Sequence, residues 1–479
     1  MVRPAGHHAP QASAWLPLGA IMALAAGLRF WHIGARSLWF DEGFSVGLAR
    51  LAWPDFLRVL WHREANMALY YALLKGWLYL GTSEAAIRGL SAVAGVATAA
   101  ACYFLGRRLF GVPAGLAAAL VVALNGFLIK YSQEARSYAL AALLASLASL
   151  LLVRALERDE RRLWLLYAAT AACALHSHFF AALVIAAHGL SLIGRAGRAL
   201  ALRSWLRSLA WIGAVSLPLL MAALHAGAAP IQWLERPTPA EVLQGLELLA
   251  GNGGLPLLVA LAAACLLALV GALRARDSWP HRFLILWAVF PLLAVLAASF
   301  FRPLFLPRYL IVCLPAWLML AAAGVTAIGN RWLRAGCILL LAALSLRGAL
   351  AYYAQDFEPG QDWRAATGYV LAHARPGDAA AFYGTPGWIP YDYYRARLGP
   401  GARGPEIILP LHRDYRGFLV PPLAEVLPET PADRPRVWLF IGRHHGDLGS
   451  RTVRSWFAHR YRLAQMTQFE GIELELYEK

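Results

Sequence analysis

The sequence predicts a polytopic α-helical membrane protein with about 11 transmembrane helices, in a range of about 11 to 13, and a C-terminal α/β domain. Hydrophobic residues make up 59% of the 479 residues, against about 45–50% in soluble domains. Apolar runs of membrane-spanning length recur up to about residue 350, and the composition then becomes polar. We therefore divide the chain into a transmembrane domain, 1–350, and an extracytoplasmic domain, 351–479.

Positive charge is arranged around the apolar runs. The formal net charge is +16, and the arginines occur in short clusters between the runs, as the positive-inside rule predicts for cytoplasmic loops. Nucleic acid is therefore not an expected partner. The five cysteines lie in or beside apolar runs and form no CxxC motif, so we expect neither a disulfide framework nor a cysteine metal cluster.

The first apolar run, 14–33, ends in aromatic residues and is expected to remain as a membrane anchor. A long loop, 34–66, follows and carries the adjacent acids Asp41 and Glu42. Within this loop, residues 54–61 begin with proline and place their large apolar side chains on one face. This pattern predicts a short helix that lies on the membrane surface.

The run 69–81 is ambiguous, because it contains Lys75 and is shorter than the about 20 residues needed to span a bilayer. If it does not cross, every later arginine cluster lies in the cytoplasm; if it crosses, all of them are exported, against the rule. We therefore expect a surface or re-entrant helix within an external loop, 34–83, and an external C-terminus. The later spans are expected at 84–105, 112–129, 137–153, 163–178, 179–194, 208–225, 254–273, 283–300, 309–328 and 332–350.

Helix and strand signals also occur outside the spans. The connection 226–253 contains Thr238 before Pro239 and ends at Gly251, which predicts an external helix. In the polar C-terminal part, alternation predicts strands and a longer period predicts helices. The strands are expected at 379–383 and 437–441, and the helices at 362–374 and 450–460.

Asp41 and Glu42 are the candidate catalytic residues. Large apolar side chains flank them and would hold them against apolar surface near the lipid headgroups, where a carboxylate without a partner is costly. Restricted water and a raised pKa are what a general base requires. The alternative is a solvated loop acid or a helix cap before Gly43.

Further polar residues fall on the same membrane face as Asp41. Gln133, Glu134 and Arg136 occupy the next external connection, and one polar cavity could include them, although an ordinary salt-bridged turn is the alternative. Glu64 and Asn66 stand in the same layer. Glu64 could serve a metal or a sugar hydroxyl, and a plain salt bridge to a nearby arginine explains it equally well.

Histidine and arginine add two further candidates on the outer side. His176 and His178 stand at a tight turn, either as interfacial side chains or as ligands of a divalent metal together with a carboxylate. Arg308 and Tyr309 lie on a loop rich in proline and phenylalanine. A snorkelling arginine is the alternative there, but a guanidinium also binds a lipid phosphate bidentately.

The candidate residues belong to short motifs that occur in a fixed order. This combination resembles the GT-C glycosyltransferases, and most closely bacterial members of glycosyltransferase family 39, which are related to protein O-mannosyltransferases and to the aminoarabinose transferases of lipid A. The resemblance covers most of residues 15–350 and implies the GT-C fold. The motifs are Phe40-Asp41-Glu42, Glu64–Tyr71, Gly106–Gly111, Tyr131–Leu140 and Arg308-Tyr309-Leu310.

The resemblance implies a transferase in the bacterial cytoplasmic membrane that uses a polyprenyl-phosphate-linked sugar on the outer face. Asp41 matches the catalytic aspartate of the family, Glu42 is its neighbour, and Glu64 matches an acid that is associated with a metal in the aminoarabinose transferases. Many members have His-Pro-Pro-Leu-Tyr-Tyr where this chain has 66–71, so Asn66 replaces a histidine of the family. The residues expected to bind the donor phosphate or sugar are Glu64, Asn66, Gln133, Glu134, Arg136, Arg308 and Tyr309.

The implied reaction is inverting. Asp41 deprotonates an acceptor hydroxyl, and Arg136, Arg308 or a divalent cation held by Glu64, His176 and His178 stabilises the departing polyprenyl phosphate. No nucleotide-binding motif occurs, so no nucleotide cofactor is expected. The expected partners are the lipid-linked sugar, membrane lipids and an acceptor in a cell-envelope glycan, lipid or protein.

Two other functions fit parts of the sequence. A transporter or flippase of lipid-linked saccharides would carry polar residues and broken helices at mid-membrane, whereas here acids and histidines gather at one face. A catalytically inactive relative that binds glycans through its C-terminal domain is the third interpretation.

Overall fold

The computed structural model describes residues 14–195, 198–227, 234–275, 277–354, 361–383, 387–398, 404–410, 427–431, 433–442 and 448–479. By its contacts the chain forms two compact units. Unit 1 comprises Met1–Ile33, Arg63–Tyr70 and Arg88–Gln355, and unit 2 comprises Gly34–His62, Tyr71–Ile87 and Asp356–Lys479. The division of the chain at residue 350 stays a prediction.

Helices dominate the described residues, and five strands follow in the C-terminal part. The helices are α1 (Trp15–Phe30), α2 (Phe40–Arg50), α3 (Trp53–Val59), α4 (Ala68–Trp77), α5 (Glu84–Phe110), α6 (Val112–Leu124), α7 (Gly126–Ser132), α8 (Tyr138–Arg158), α9 (Arg161–Ser177), α10 (Ala181–Ser191), α11 (Arg198–Val215), α12 (Leu217–Ala226), α13 (Pro239–Ala250), α14 (Leu255–Arg274), α15 (Trp279–Phe301), α16 (Leu314–Thr326), α17 (Arg331–Ala354), α18 (Trp363–His373), α19 (Trp388–Leu398) and α20 (Leu448–Ala458). The strands are β1 (Ala379–Tyr383), β2 (Glu406–Leu409), β3 (Arg436–Ile441), β4 (Arg462–Phe469) and β5 (Ile472–Glu478).

Five helices in the described part of the chain, α5, α8, α14, α15 and α17, are long and apolar enough to cross a membrane. Two bent pairs, α6 with α7 and α11 with α12, bring the number to seven if each pair counts as one span. The apolar helices α1, α10 and α16 are shorter. Each predicted span coincides with one of these helices or with α9, so the helical segments are confirmed, whereas the count of eleven crossings stays a prediction.

The ambiguous run 69–81 forms α4 and a following 3-10 turn, Leu78–Leu80. The 10 residues of α4 extend about 15 Å, half of the about 30 Å hydrocarbon core. Lys75 in this helix donates hydrogen bonds to the carbonyls of Ala49, at 3.2 Å, and Leu51. Because these carbonyls end α2, the lysine caps that helix, where a positive charge is favourable.

The acid pair lies in a helix within the predicted external connection, and the sequence did not predict this helix. Asp41 and Glu42 occupy the first turn of α2, where carboxylates interact favourably with the positive end of the helix dipole. Gly43 and Gly47 lower the helix propensity of this stretch, so the sequence pattern did not indicate a helix here. The predicted surface helix at 54–61 corresponds to α3 and the π-helical turn after it.

The run predicted as a single span after Gly111 is broken between α6 and α7, which differ in direction by 61°. Asn125 caps α7, because its Oδ1 accepts the N–H of Leu128 at 2.9 Å and its Nδ2 donates to the carbonyl of Ala250 at 2.9 Å. The buried guanidinium of Arg29 donates to the carbonyls of residues 122–123, both at 3.0 Å. These side chains satisfy the backbone groups that the break exposes.

The helix predicted in 226–253 is confirmed as α13, and its external position stays a prediction. Thr238 and Glu241 form a capping box at its start, and Gly251 ends it with a φ of 120°. Close packing follows at this end, because a Cβ on Gly126 would lie 2.6 Å from the carbonyl oxygen of Gly251. Residues 228–233 of the predicted connection lie outside the described residues.

The C-terminal strands of unit 2 form one mixed sheet in the order β2-β1-β3-β5-β4. The strands β2, β1 and β3 are parallel, and β5 is antiparallel to β3 and β4. One face packs on α20 through Val453 and Phe457. On the other face, the ring of Phe440 stacks on Phe382 at 4.7 Å and lies 5.9 Å from Trp363 of α18. The predicted strands β1 and β3 and the helices α18 and α20 are confirmed.

Replacing Arg454 by methionine is expected to destabilise this sheet. Arg454 donates from Nε to Glu475 at 2.7 Å and pairs with Glu473, and the Glu475 side chain is only 1% exposed. Removing one partner of a buried ion pair leaves the other charge uncompensated, at a cost of about 3 kcal/mol. Thermal unfolding of the detergent-solubilised protein measures the loss, with Arg451→Met on the exposed part of the same helix as the control. Equal melting temperatures for both variants would contradict the expectation.

Sidedness is tested by labelling single cysteines with a membrane-impermeant maleimide in cells. In a background without the five native cysteines, we expect Glu235→Cys to react from outside and Arg162→Cys to react only after the membrane is opened. Both positions are exposed. The reverse pattern would overturn the topology that the arginine clusters predict.

Candidate active site

The two adjacent acids of unit 2 differ in their exposure to solvent. Glu42 is fully buried, whereas Asp41 is half-buried in the same turn of α2. The Oγ of Ser45 donates to the carbonyl of Asp41 at 2.9 Å, and Phe44 packs edge-on against Tyr71 with ring centroids 6.2 Å apart. A base must reach its substrate within hydrogen-bond distance, so Asp41 suits that role better than Glu42.

The candidate residues of unit 1 begin at the turn after α7. The Gln133 amide donates to the carbonyls of Arg29, at 3.1 Å, and Trp31, at 2.7 Å, and accepts from the hydroxyl of Tyr352 at 3.0 Å. These bonds connect the turn to the end of α1 and to α17. They assign Gln133 a structural task, and its expected contact with the donor stays a prediction.

A cluster of aromatic and cationic side chains lies beyond this turn. The imidazole of His178 is centred 5.2 Å from the ring of Tyr309 and 5.9 Å from that of Tyr138. The guanidinium carbon of Arg308 lies 5.9 Å from the centre of the Tyr138 ring, and both Arg136 and Arg308 act electrostatically on His178. Segments far apart in sequence thus meet, and we call these five residues the arginine cluster.

His178 is buried in the turn after α9. Its Nδ1 accepts the N–H of Phe180 at 3.3 Å. This hydrogen bond fixes the orientation of the imidazole beside Tyr138 and Tyr309.

The other candidate residues of unit 1 are Glu134, Asn66 and Glu64. Glu134 is half-buried, and its carbonyl accepts the N–H of Arg136 at 2.8 Å, which closes the turn. Asn66 Oδ1 accepts the N–H of Phe179 at 2.8 Å and so fixes the chain beside His178. Glu64 is half-buried and ends the π-helical turn Leu60–Glu64, a geometry that is frequent at functional sites.

The expected metal ligands do not form a site by themselves. Within the ranges that the structure describes, no three His, Cys, Asp or Glu side chains come together in a group that could hold a metal ion. His176 is bonded through Nδ1 to the carbonyl of Ala172 in its own helix, at 2.9 Å, and the surroundings of His178 are aromatic. The residues present therefore do not fit a metal ion held jointly by Glu64, His176 and His178.

Two side chains of unit 1 were not singled out from the sequence. Tyr138 lies under Arg308 and against His178, and the signal for it was its place two residues after Arg136. Arg29 is fully buried, and the signal was an arginine inside an apolar run, which is costly unless the protein uses it.

Comparison with known proteins finds a family whose sequence model matches part of the chain. A sequence model described as dolichyl-phosphate-mannose-protein mannosyltransferase matches residues 67–225. This segment contains the turn after α7, and His176 and His178 at the end of α9. No curated protein matches the chain.

Solved structures extend the likeness to the whole chain. ArnT from Cupriavidus metallidurans in the apo state superposes with a TM-score of 0.67 and 14% identity, covering 97% of this chain and 98% of that one. The same protein bound to undecaprenyl phosphate gives a TM-score of 0.62 and 13% identity over the same shares, 97% and 98%. The oligosaccharyltransferase of Archaeoglobus fulgidus, in complex with zinc and sulfate, gives 0.54 and 12% identity, covering 92% of this chain and 69% of that one.

At these identities the structures establish the fold, and the family model adds a sequence relationship over the segment that carries Arg136 and His178. The family is one of protein mannosyltransferases, and the Archaeoglobus fulgidus neighbour is an oligosaccharyltransferase. On this evidence, the chain has the GT-C fold, and its residues 67–225 are similar to that mannosyltransferase family.

Proposed function

We propose that this protein transfers a sugar from a polyprenyl-phosphate-linked donor to an acceptor hydroxyl on the outer face of the bacterial cytoplasmic membrane, with inversion at the anomeric carbon. The acceptor belongs to a cell-envelope glycan, lipid or protein. The observation that carries the proposal is the arginine cluster, where Arg308 lies over the ring of Tyr138 and both Arg136 and Arg308 act electrostatically on His178.

The reaction needs one base and one anion site. The carboxylate of Asp41 takes the proton of the acceptor hydroxyl while the hydroxyl oxygen forms a bond to the anomeric carbon. The bond between that carbon and the phosphate oxygen breaks, and its electron pair leaves with the polyprenyl phosphate. No atom is left over, because the products are the glycosylated acceptor, the protonated base and the lipid phosphate.

The two arginines suit the departing phosphate. Negative charge grows on its oxygens as the bond breaks, and positioned guanidinium groups stabilise that charge more than they stabilise the donor. Tyr138 and Tyr309 give the site apolar walls, which strengthen electrostatic contacts by excluding water. ArnT, the structural neighbour, is known bound to undecaprenyl phosphate, which supports a polyprenyl phosphate as the lipid partner.

A transporter is the alternative that broken helices would support. The α6–α7 break has another explanation, because Asn125 and Arg29 satisfy its backbone groups. The break therefore does not by itself favour transport, and the family match favours transfer.

Reconstitution tests the proposal. The purified protein in liposomes, given undecaprenyl-phosphate hexoses or pentoses and an envelope extract, is expected to release undecaprenyl phosphate and to label the acceptor, both measured by mass spectrometry. Flipping of the intact donor between leaflets without release of the lipid phosphate would overturn the transferase and favour the transporter. Envelope glycans from cells with and without the protein then identify the acceptor.

A further inference from the structure

The segment that precedes the catalytic helix is held by residues more than 300 positions later in the sequence. Segment 34–38 and α2 belong to the same compact unit as the C-terminal region. The sequence predicts a separate C-terminal domain at 351–479. Its contacts with this segment point to a specific task.

Arg364 of α18 binds the backbone of the segment. Its guanidinium donates to the carbonyls of Gly34 at 3.0 Å, Ala35 at 3.2 Å and Arg36 at 3.0 Å. Its own backbone N–H donates to the Oγ of Ser37 at 3.1 Å. One side chain thus satisfies three successive carbonyls. Because the guanidinium is planar and rigid, these hydrogen bonds fix the conformation of segment 34–36 as well as its position beside α18.

Tyr394 of α19 continues the same contact. Its hydroxyl accepts the N–H of Leu38 at 2.7 Å and the hydroxyl of Ser37 at 3.2 Å. Further along, a Cβ on Gly43 would lie 3.3 Å from the backbone nitrogen of Pro390, so α2 packs directly on α19. These contacts flank Asp41 on both sides, at Leu38 and at Gly43.

A buried acid orients the arginine. Glu84 is 8% exposed and pairs with Arg364 at 2.9 Å and with Arg397 of α19 at 3.8 Å. The hydroxyl of Tyr393 donates to the carbonyl of Thr82 at 2.8 Å, beside this acid. The start of α5, segment 34–38 and helices α18 and α19 are therefore linked by one polar network.

We infer that the C-terminal region positions the catalytic base, with Arg364 and Tyr394 as the positioning residues. The inference rests on the proposed role of Asp41. Because a shift of about 1 Å in a reacting group can cost about 100-fold in rate, releasing the segment lowers kcat without touching the donor phosphate.

Arg364→Met and Tyr394→Phe test the inference, with Arg395→Met as the matched control. Arg395 lies on the same helix as Tyr394 and pairs with Asp392 of that helix at 2.8 Å. In the reconstituted assay, Arg364→Met is expected to lower kcat by about tenfold to 100-fold, with KM for the lipid-linked donor within about twofold of the wild type and with partial rescue by Arg364→Lys. Equal kcat in Arg364→Met and the control would overturn the inference.

A double-mutant cycle separates positioning from general loss of structure. If Arg364 acts through Asp41, Arg364→Met has no further effect on the residual rate of Asp41→Asn, because residues that act through one group are not additive. Additive losses would overturn the positioning role. If Asp41→Asn itself retains full activity, the proposed function fails and not this inference alone.

Proteolysis supplies a readout without turnover. The carbonyl of Arg36 accepts from Arg364, so trypsin cleavage after Arg36 is expected to accelerate in Arg364→Met and in Tyr394→Phe, and the second variant leaves the ion pair of Arg364 with Glu84 intact. Unchanged cleavage in both variants would show that the segment is held by other contacts and would overturn the inference.

Discussion

Asp41→Asn is expected to lower kcat for sugar transfer by about 10²- to 10⁴-fold, the range that general-base catalysis contributes. The amide has nearly the shape of the carboxylate and cannot take up the acceptor proton. KM for the lipid-linked donor is expected to change little, because the base acts on the acceptor. Release of undecaprenyl phosphate by the reconstituted protein measures both constants.

The control for this variant is Asp55→Asn. Asp55 lies in α3 of the same unit, is exposed, and pairs with Arg58 at 2.8 Å. A surface pair of this kind contributes about 0–1 kcal/mol, so its loss is expected to leave kcat unchanged. If both variants keep wild-type rates, Asp41 is not the base.

Arg308→Met is expected to lower kcat by about 10²- to 10³-fold, the cost of removing one group that stabilises charge in the transition state. The leaving phosphate gains negative charge as the glycosidic bond breaks, and one guanidinium beside Tyr138 is lost. Arg308→Lys keeps the charge but not the planar fork, so it is expected to recover only part of the rate. Single-turnover measurements separate this effect from donor binding.

Arg302 offers a matched control on the same loop. Its side chain is exposed, and Arg302→Met is expected to keep the wild-type kcat. Equal losses in Arg302→Met and Arg308→Met would mean that the loop attracts the anionic lipid by charge alone, and the arginine cluster would lose its catalytic role.

Much of the helical architecture follows from composition and charge. Apolar runs predicted the helices of unit 1, and the short apolar stretch around Lys75 indicated a helix at 69–81 that is shorter than a membrane span. The capping pattern at Thr238 and Gly251 predicted α13 closely. These signals are local, since each depends on residues within one or two helical turns.

The remaining features depend on partners far away in sequence. The dipeptide Asn125-Gly126 is a local turn signal, but the bend also depends on Arg29 and on the end of α13, which are far away in sequence. The low helix propensity of the glycines in α2 prevented its prediction from the sequence. In the structure, Lys75 of α4 caps the C-terminal end of this helix. Charge placement predicted one face for the candidate residues but could not predict that Tyr138 lies under Arg308 or that Gln133 bonds to α1.

The buried Arg29 has a consequence for the biogenesis of the chain. Its acceptors in α6 lie 93 and 94 residues later, so a ribosome adding about 5–20 residues per second makes them about 5 to 20 s after Arg29. During that interval the long arginine side chain can extend to the aqueous boundary of the bilayer. Membrane insertion of α1 and its final packing are therefore separate events, and the second waits until translation has produced α6.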